Sequence, residues 1–137
     1  MERAMANHHP IQFILNGEPR EVSVAPELSL LDLLREHFDL TAAKNGCSPQ
    51  GSCGCCTVLV DDNAVVSCVV PVAKIAGKRV QTLEGLPELQ RERLAQSFVH
   101  AGGLQCGFCI PGIAMRAHSL LQNNAAPTRD EIARALN

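Results

Sequence analysis

Seven cysteines carry most of the chemistry open to this chain, and four of them fall within the stretch GCSPQGSCGCC at residues 46–56. Taken with Cys68, the residues Cys47, Cys53, Cys56 and Cys68 have the spacing C-x5-C-x2-C-x11-C. Three thiolates on one loop and a fourth on the hairpin that follows form the pattern of a plant-type [2Fe-2S] site, usually C-x4-C-x2-C…C. Two ferric ions, two sulfides and four thiolates leave a net negative charge, which deepens on reduction. A loop wrapped around that charge must turn backbone N–H groups inward, as an anion-binding nest does. Gly46, Gly51 and Gly54 are expected to allow this by taking positive φ angles and by letting the backbone approach the sulfurs. Structural zinc also takes four cysteines, but usually from two separate short knuckles and not from one glycine-rich loop. Iron–sulfur is therefore the leading reading, and zinc is its alternative.

The remaining cysteines are less specific. Cys106 and Cys109 form a C-x2-C that alone reads as half a metal site, a redox pair or coincidence. Two thiols cannot complete a four-thiolate cluster. Cys55, between two candidate ligands, is expected to be a small buried thiol pointing away from the cluster. His8, His9, His37, His100 and His118 have no ligand-type neighbours in sequence and are read as solvated or packed. No catalytic triad, paired carboxylates or phosphate loop appears, so no catalytic residue is assigned.

The totals narrow the partners. Tryptophan and tyrosine are absent, which removes the stacking platforms of single-strand nucleic-acid binders. The formal charge is -2 with no basic run, which argues against nucleic acid or an anionic membrane. No stretch has the 18 or so apolar residues of a membrane helix, and Met1–Pro10 lacks the apolar region of a signal peptide. A cytoplasmic, reducing location follows, where clustered cysteines serve as metal ligands more often than disulfides.

Two groups of elements must position these residues. Ile11, Phe13 and Leu15 alternate with Gln12, Ile14 and Asn16, Asn16-Gly17 signals a hairpin turn, and a strand follows through Val22 and Val24. Ser29 is placed to cap a helix to about His37, with Leu30, Leu33, Leu34 and His37 on its inner face. Thr57–Val60 and Ala64–Val70 read as strands around an Asp61-Asp62-Asn63 turn, and Arg79–Leu83 as one more. The second half is helical: Leu89–Ala101, stopped by Gly102-Gly103; a helix from Pro111 with Ile113, Ala117, Leu120 and Leu121 inward; and a third from a Thr128/Glu131 capping box. The spacing predicts an α+β chain with a β-rich unit over 1–85 and a helical unit over 86–137.

These residues resemble the iron–sulfur component of the molybdenum hydroxylases, the xanthine dehydrogenase and aldehyde oxidase family. The resemblance runs through Leu30–His37, Gly46-Cys47, Cys53-Gly54-Cys55-Cys56-Thr57-Val58, Cys68, Thr82-Leu83-Glu84-Gly85 and Gln105-Cys106-Gly107-Phe108-Cys109. It implies a β-grasp, ferredoxin-like domain followed by a small helical bundle, each carrying a [2Fe-2S] cluster. The second cluster is completed in the family by a later C-x-C pair, so this chain looks truncated before that pair, with Cys106 and Cys109 contributing half of the site. Gln105 matches the position that contacts the pterin of the molybdenum cofactor.

The implied work is electron transfer within an oxidoreductase. Electrons pass from a molybdopterin-binding catalytic subunit or domain, through the clusters, to FAD on a further partner or to an external acceptor. An apolar patch around Gln105–Pro111 should meet the partner. The chain departs from the family pattern in having five residues, Ser48–Ser52, between its first two loop cysteines where four are common, and Ile110 where threonine is common. The family pattern leaves two rivals: a free-standing [2Fe-2S] ferredoxin, against which the helical half argues, and a zinc-binding interaction module.

Overall fold

Ile11, Phe13 and Leu15 are 3–6% exposed while Ile14 between them is 40% exposed, so β1 (His9–Leu15) has one core face and one open face. A computed structural model describes residues 9–137; His8 and most of the Met1–Pro10 segment lie outside the described residues. β1 pairs antiparallel with β2 (Glu18–Val24), setting Ile11 opposite Val22. Asn16 and Gly17 turn the hairpin with φ of 51° and 85°, the double positive φ of a type I′ turn. The Asn16 side chain then does a second task. Its Oδ1 accepts from the Thr82 N–H at 2.9 Å and its Nδ2 donates to Thr82 Oγ1 at 3.1 Å.

β3 (Thr57–Val60), β4 (Asn63–Val66) and β5 (Arg79–Gln81) complete a mixed sheet of order β2-β1-β5-β3-β4. Among the described residues, only the β1–β5 pairing is parallel. The returning strand expected to run to Val70 stops at Val66, and Ser67–Val69 curls into a 3-10 turn. Ser67 explains the stop: both its N–H and its Oγ donate to the Cys56 carbonyl, at 3.4 and 2.6 Å. That turns the chain so that Cys68 is buried beside Cys56.

The early helix is partly corrected. α1 (Leu30–Asp32) is capped by Ser29, whose Oγ accepts from the Asp32 N–H at 3.0 Å, and widens at once into a π turn over Leu33–His37. The i→i+5 winding sets later side chains back around the axis. His37 is therefore exposed, and Leu31 joins Leu30, Leu33 and Leu34 at 0–1% exposure. These leucines pack on Phe13, Leu15, Val58 and Val60 to form the main core.

β3 is buried along its whole length. Val58 and Val60 face the main core, while Leu59 packs with Met115 and Leu86 on the opposite side. Met115 belongs to α3 (Ile110–Asn123), the longest helix, which lies on β3. Before it, α2 (Glu88–His100) has no buried residue and ends at Gly102, φ 64°. After it, α4 (Arg129–Leu136) starts from Thr128, whose Oγ1 and N–H exchange hydrogen bonds with Glu131 as a capping box.

The inner face of α3 differs from expectation. Gly112, Ala114, Met115, His118 and Ser119 are buried, whereas Ile113, Ala117 and Leu120 are half-buried and Leu121 is exposed. Close approach to the sheet selects small residues: Ser119 Oγ donates to the Asp62 carbonyl at 3.2 Å in the β3–β4 turn, and Gly112 meets the cysteine loop.

Candidate metal centre

The approach to the cysteine loop is held from three sides. Arg35 Nη1 donates to the carbonyls of Thr41 and Ala43 at 3.0 and 2.7 Å. The Glu84 carboxylate accepts from the Ala42 N–H at 2.8 Å, and the Lys44 N–H donates to the Cys55 carbonyl at 3.0 Å. The two ends of the loop are thereby tied together. Within it, Gly51 and Gly54 take φ of 69° and 70°, a region that costs glycine little. Gly46 does not take a positive φ, contrary to expectation; space explains it, because a Cβ there would lie 2.9 Å from Cys53 Sγ and 3.2 Å from the Phe108 ring.

Backbone N–H groups point at the sulfurs. The Gln50 N–H donates to Cys47 Sγ at 3.2 Å, that of Cys55 to Cys53 Sγ at 3.5 Å, and that of Cys68 to Cys56 Sγ at 3.5 Å. The N–H groups of Cys53, Ser52 and Gln50 bring the Cys47 thiol down to about 5. Burial, and then the adjoining Cys56 thiol, push Cys68 up to about 11, so a bound cation is what would favour its thiolate. Cys47 neighbours Cys53 and Cys56 neighbours Cys68, with Cys47 and Cys68 also near enough to influence one another.

Two pairs suit a two-iron group, in which each iron takes two of the four cysteines. A single tetrahedral zinc needs all its ligands at one point. On donor chemistry and N–H placement the four cysteines fit a [2Fe-2S] group. Cys56 and Cys68 are 1% and 5% exposed, while Cys53 is open to the surface. The site thus has an inner pair and an outer pair.

Cys55 is buried, and its thiol donates to the Cys53 carbonyl at 3.9 Å. It does not turn away from the set; it lies against Cys53, with Cys109 and Cys56 also close enough to add to the effect of burial in raising it to about 11. Cys106 and Cys109 are exposed. They share a pocket of about 310 Å3 with Gln105 and Ile110. Close by in sequence, Leu104 and Phe108 are each 44% exposed and Val99 62%. Cys109 also lines a second pocket, of about 130 Å3, with Cys53 and Arg116.

Comparison with known proteins decides the family. Residues 13–83 match the family described as "2Fe-2S iron-sulfur cluster binding domain", and residues 82–137 match that described as "[2Fe-2S] binding domain". The chain is 42% identical to the nicotinate dehydrogenase small FeS subunit of Eubacterium barkeri, over 96% of this chain and 83% of that protein. The chain belongs to the iron–sulfur components of the molybdenum hydroxylases. The nicotine 6-hydroxylase small subunit of Paenarthrobacter nicotinovorans is 40% identical, over 90% of this chain and 74% of its own. The solved structure of quinoline 2-oxidoreductase from Pseudomonas putida 86 superposes with a TM-score of 0.85 at 39% identity, covering 95% of this chain and 80% of that one. As a molybdenum hydroxylase iron–sulfur component, the chain has a ferredoxin-like fold, binds [2Fe-2S] and works in electron transfer within an oxidoreductase. A catalytic partner follows from that role. Among the described residues no helix is long and apolar enough to cross a membrane.

In the first loop of this molybdenum hydroxylase iron–sulfur component, Ser48 takes a φ of 57°, its N–H donating to Asn45 Oδ1 at 3.0 Å, and Gly51 also has a positive φ. Sequence reasoning also passed over Arg35, Glu84, Gly112 and Arg116. The first two sit in the matched early helix and in Thr82–Gly85, and a search for side chains able to bind loop carbonyls and N–H groups could have found them. A lone arginine or glycine on an amphipathic helix gives no such signal.

The histidines other than His8 are packed or solvated as read. His9, His37 and His100 are exposed and His118 is buried. Burial between α3 and α2 lowers His118 below its ordinary value of 6.5, opposed by the Asp62 carboxylate across the β3–β4 turn; Arg93 of α2 faces the same pocket. A histidine with a depressed folded-state pKa costs no stability above 6.5 and loses stability as pH falls from there through the folded value. His118→Gln should therefore flatten the fall of thermal midpoint below pH 6.5. An unaltered pH slope would contradict that.

Proposed function

We propose that Cys47, Cys53, Cys56 and Cys68 hold one [2Fe-2S] cluster in a domain over 1–85. Cys106 and Cys109 supply half the ligands of a second cluster in a helical domain over 86–137. The observation that carries this is the backbone N–H groups directed at the sulfurs of Cys47, Cys53 and Cys56, with Cys68 buried beside Cys56. Leu136 and Asn137 line a pocket with Cys109, so residues continuing from α4 would be first to reach the second set.

When bound, such clusters accept and release one electron at a time. The chain's own residues do the rest. Inward N–H groups offset negative charge on the sulfurs. The bulk of the main core shields Cys56 and Cys68 from water, which tunes potential. Gln105, exposed in its pocket beside Cys106, would meet the pterin of a molybdopterin cofactor on the catalytic subunit or domain. The apolar surface of Val99, Leu104 and Phe108 supports docking there. Electrons leave toward an FAD-bearing partner or an external acceptor. Seven free cysteines suit the reducing cytoplasm.

The test uses the complex with its molybdenum partner. Cys106→Ser should remove one of two EPR signals seen after dithionite reduction and leave the other. Gln105→Ala should keep both signals yet slow the arrival of electrons from substrate. Two intact signals in Cys106→Ser would sink the assignment of the second set, and unchanged electron entry in Gln105→Ala would sink the pterin contact.

A further inference from the structure

α3 begins directly after Cys109 and meets the first cysteine loop backbone to backbone. A Cβ on Gly112 would lie 2.2 Å from the Gly54 carbonyl oxygen, 3.0 Å from Cys55 Cα and 3.1 Å from the Gly54 carbonyl carbon. These are main-chain atoms lying between the ligand candidates Cys53 and Cys56, and they cannot swing aside as a flexible side chain can. Gly112 therefore permits a contact that no other residue would allow without a shift of the helix or the loop.

One helical turn on, Arg116 reinforces the same contact. Its Nε donates to Thr57 Oγ1 at 3.3 Å, and that hydroxyl donates to the Gly54 carbonyl at 2.7 Å. Its Nη2 would sit 3.2 Å from a Cβ on Gly54, so the guanidinium packs on the loop backbone. Its Nη1 donates to the carbonyls of Ala135 and Asn137, at 3.5 and 2.6 Å. Among the described residues no Asp or Glu side chain pairs with Arg116. Yet it lines one pocket with Cys53 and Cys109, a member of each cysteine set. A partly buried cation is stabilised by negative charge beside it, which thiolates or the groups they hold would supply in this pocket.

We propose that Gly112 and Arg116 form a seam that fixes the separation of the two cysteine sets and supplies a positive charge between them, so that it governs electron passage from one to the other. This rests on Cys106 and Cys109 being half of a second cluster. In that passage a single electron is lost by one iron–sulfur group and gained by the other, with no covalent bond made or broken.

The experiment compares Gly112→Ala, Arg116→Gln and Arg116→Lys in the complex with the molybdenum partner. Iron content, the magnetic splitting between the two reduced centres in EPR, reduction potentials and the rate of internal electron transfer are measured for each. Gly112→Ala should keep its iron, weaken the splitting and slow transfer several-fold. Arg116→Gln should make the potentials more negative, because the reduced, more anionic state loses a neighbouring cation, and Arg116→Lys should restore them. Unchanged splitting and rate in an iron-replete Gly112→Ala, or unchanged potentials in Arg116→Gln, would overturn the seam. Should Gly112→Ala not assemble, the Arg116 pair decides alone. A single EPR signal in the unsubstituted complex would instead sink the second-cluster reading, and the seam with it.

Discussion

Cys56→Ala is expected to cost the chain the whole of its first cluster, a loss of about two irons and two sulfides. Cys56 is 1% exposed and its thiol neighbours that of Cys68, itself 5% exposed. Removing it leaves one iron with a missing ligand at the most enclosed part of the site, and the nearby Cys55 thiol is turned to the Cys53 carbonyl. Cys55→Ala, one residue away, should leave iron and sulfide unchanged. The Cys55 thiol points to the Cys53 carbonyl, and the two thiol pairs are complete without it. Iron and sulfide analysis of the two variants distinguishes a ligand from a neighbour. Equal losses in both would contradict the assignment.

Leu34→Ala should bring the largest loss of stability. Leu34 is fully buried in the cluster of leucines that packs on Phe13, Leu15 and Val58. Its backbone carbonyl also accepts from the Leu40 N–H at 2.9 Å, just after the π turn. A leucine-to-alanine change in such a core costs about 2–5 kcal/mol, against a total of about 5–15 kcal/mol for a domain. The π turn leads directly to the loop approach held by Arg35, so the same change should loosen the first cysteine set. A lowered urea midpoint together with faster loss of iron under chelation is the expected result. A midpoint within error of the unsubstituted protein would contradict it.

Local chemistry was the most legible part of the sequence. Asn16-Gly17 and Asp61-Asp62 announce turns because few residues accept positive φ, and both form hairpins with positive φ at each central position. Thr128 and Glu131 announce a helix start for a similar reason, since their side chains satisfy orphan N–H groups. The four cysteines proposed for the first set stand out by their spacing because a cluster would impose its own geometry on the chain around it.

What the sequence concealed was set by contacts between distant elements. The inner face of α3 could not be read from hydrophobicity, since Gly112 and Ser119 are buried for their size and Leu121 is left outside. β4 ends early because Ser67 binds the Cys56 carbonyl from 11 residues away. The role of Asn16 beyond its turn depends on Thr82, 66 residues later. Arg116 shows the limit most clearly. Its helix neighbours suggest a solvated face, and only the docking of α3 onto the cysteine loop brings its charge between Cys53 and Cys109.

The central claim is that Cys47, Cys53, Cys56 and Cys68 hold a [2Fe-2S] cluster. The most direct test is to measure iron, acid-labile sulfide and zinc in the anaerobically purified protein, with a low-temperature EPR spectrum after dithionite reduction. The account predicts about two irons and two sulfides per chain for this site, a coloured protein and a rhombic signal on reduction. Zinc without sulfide, in a colourless protein that takes up no iron on reconstitution, would contradict it.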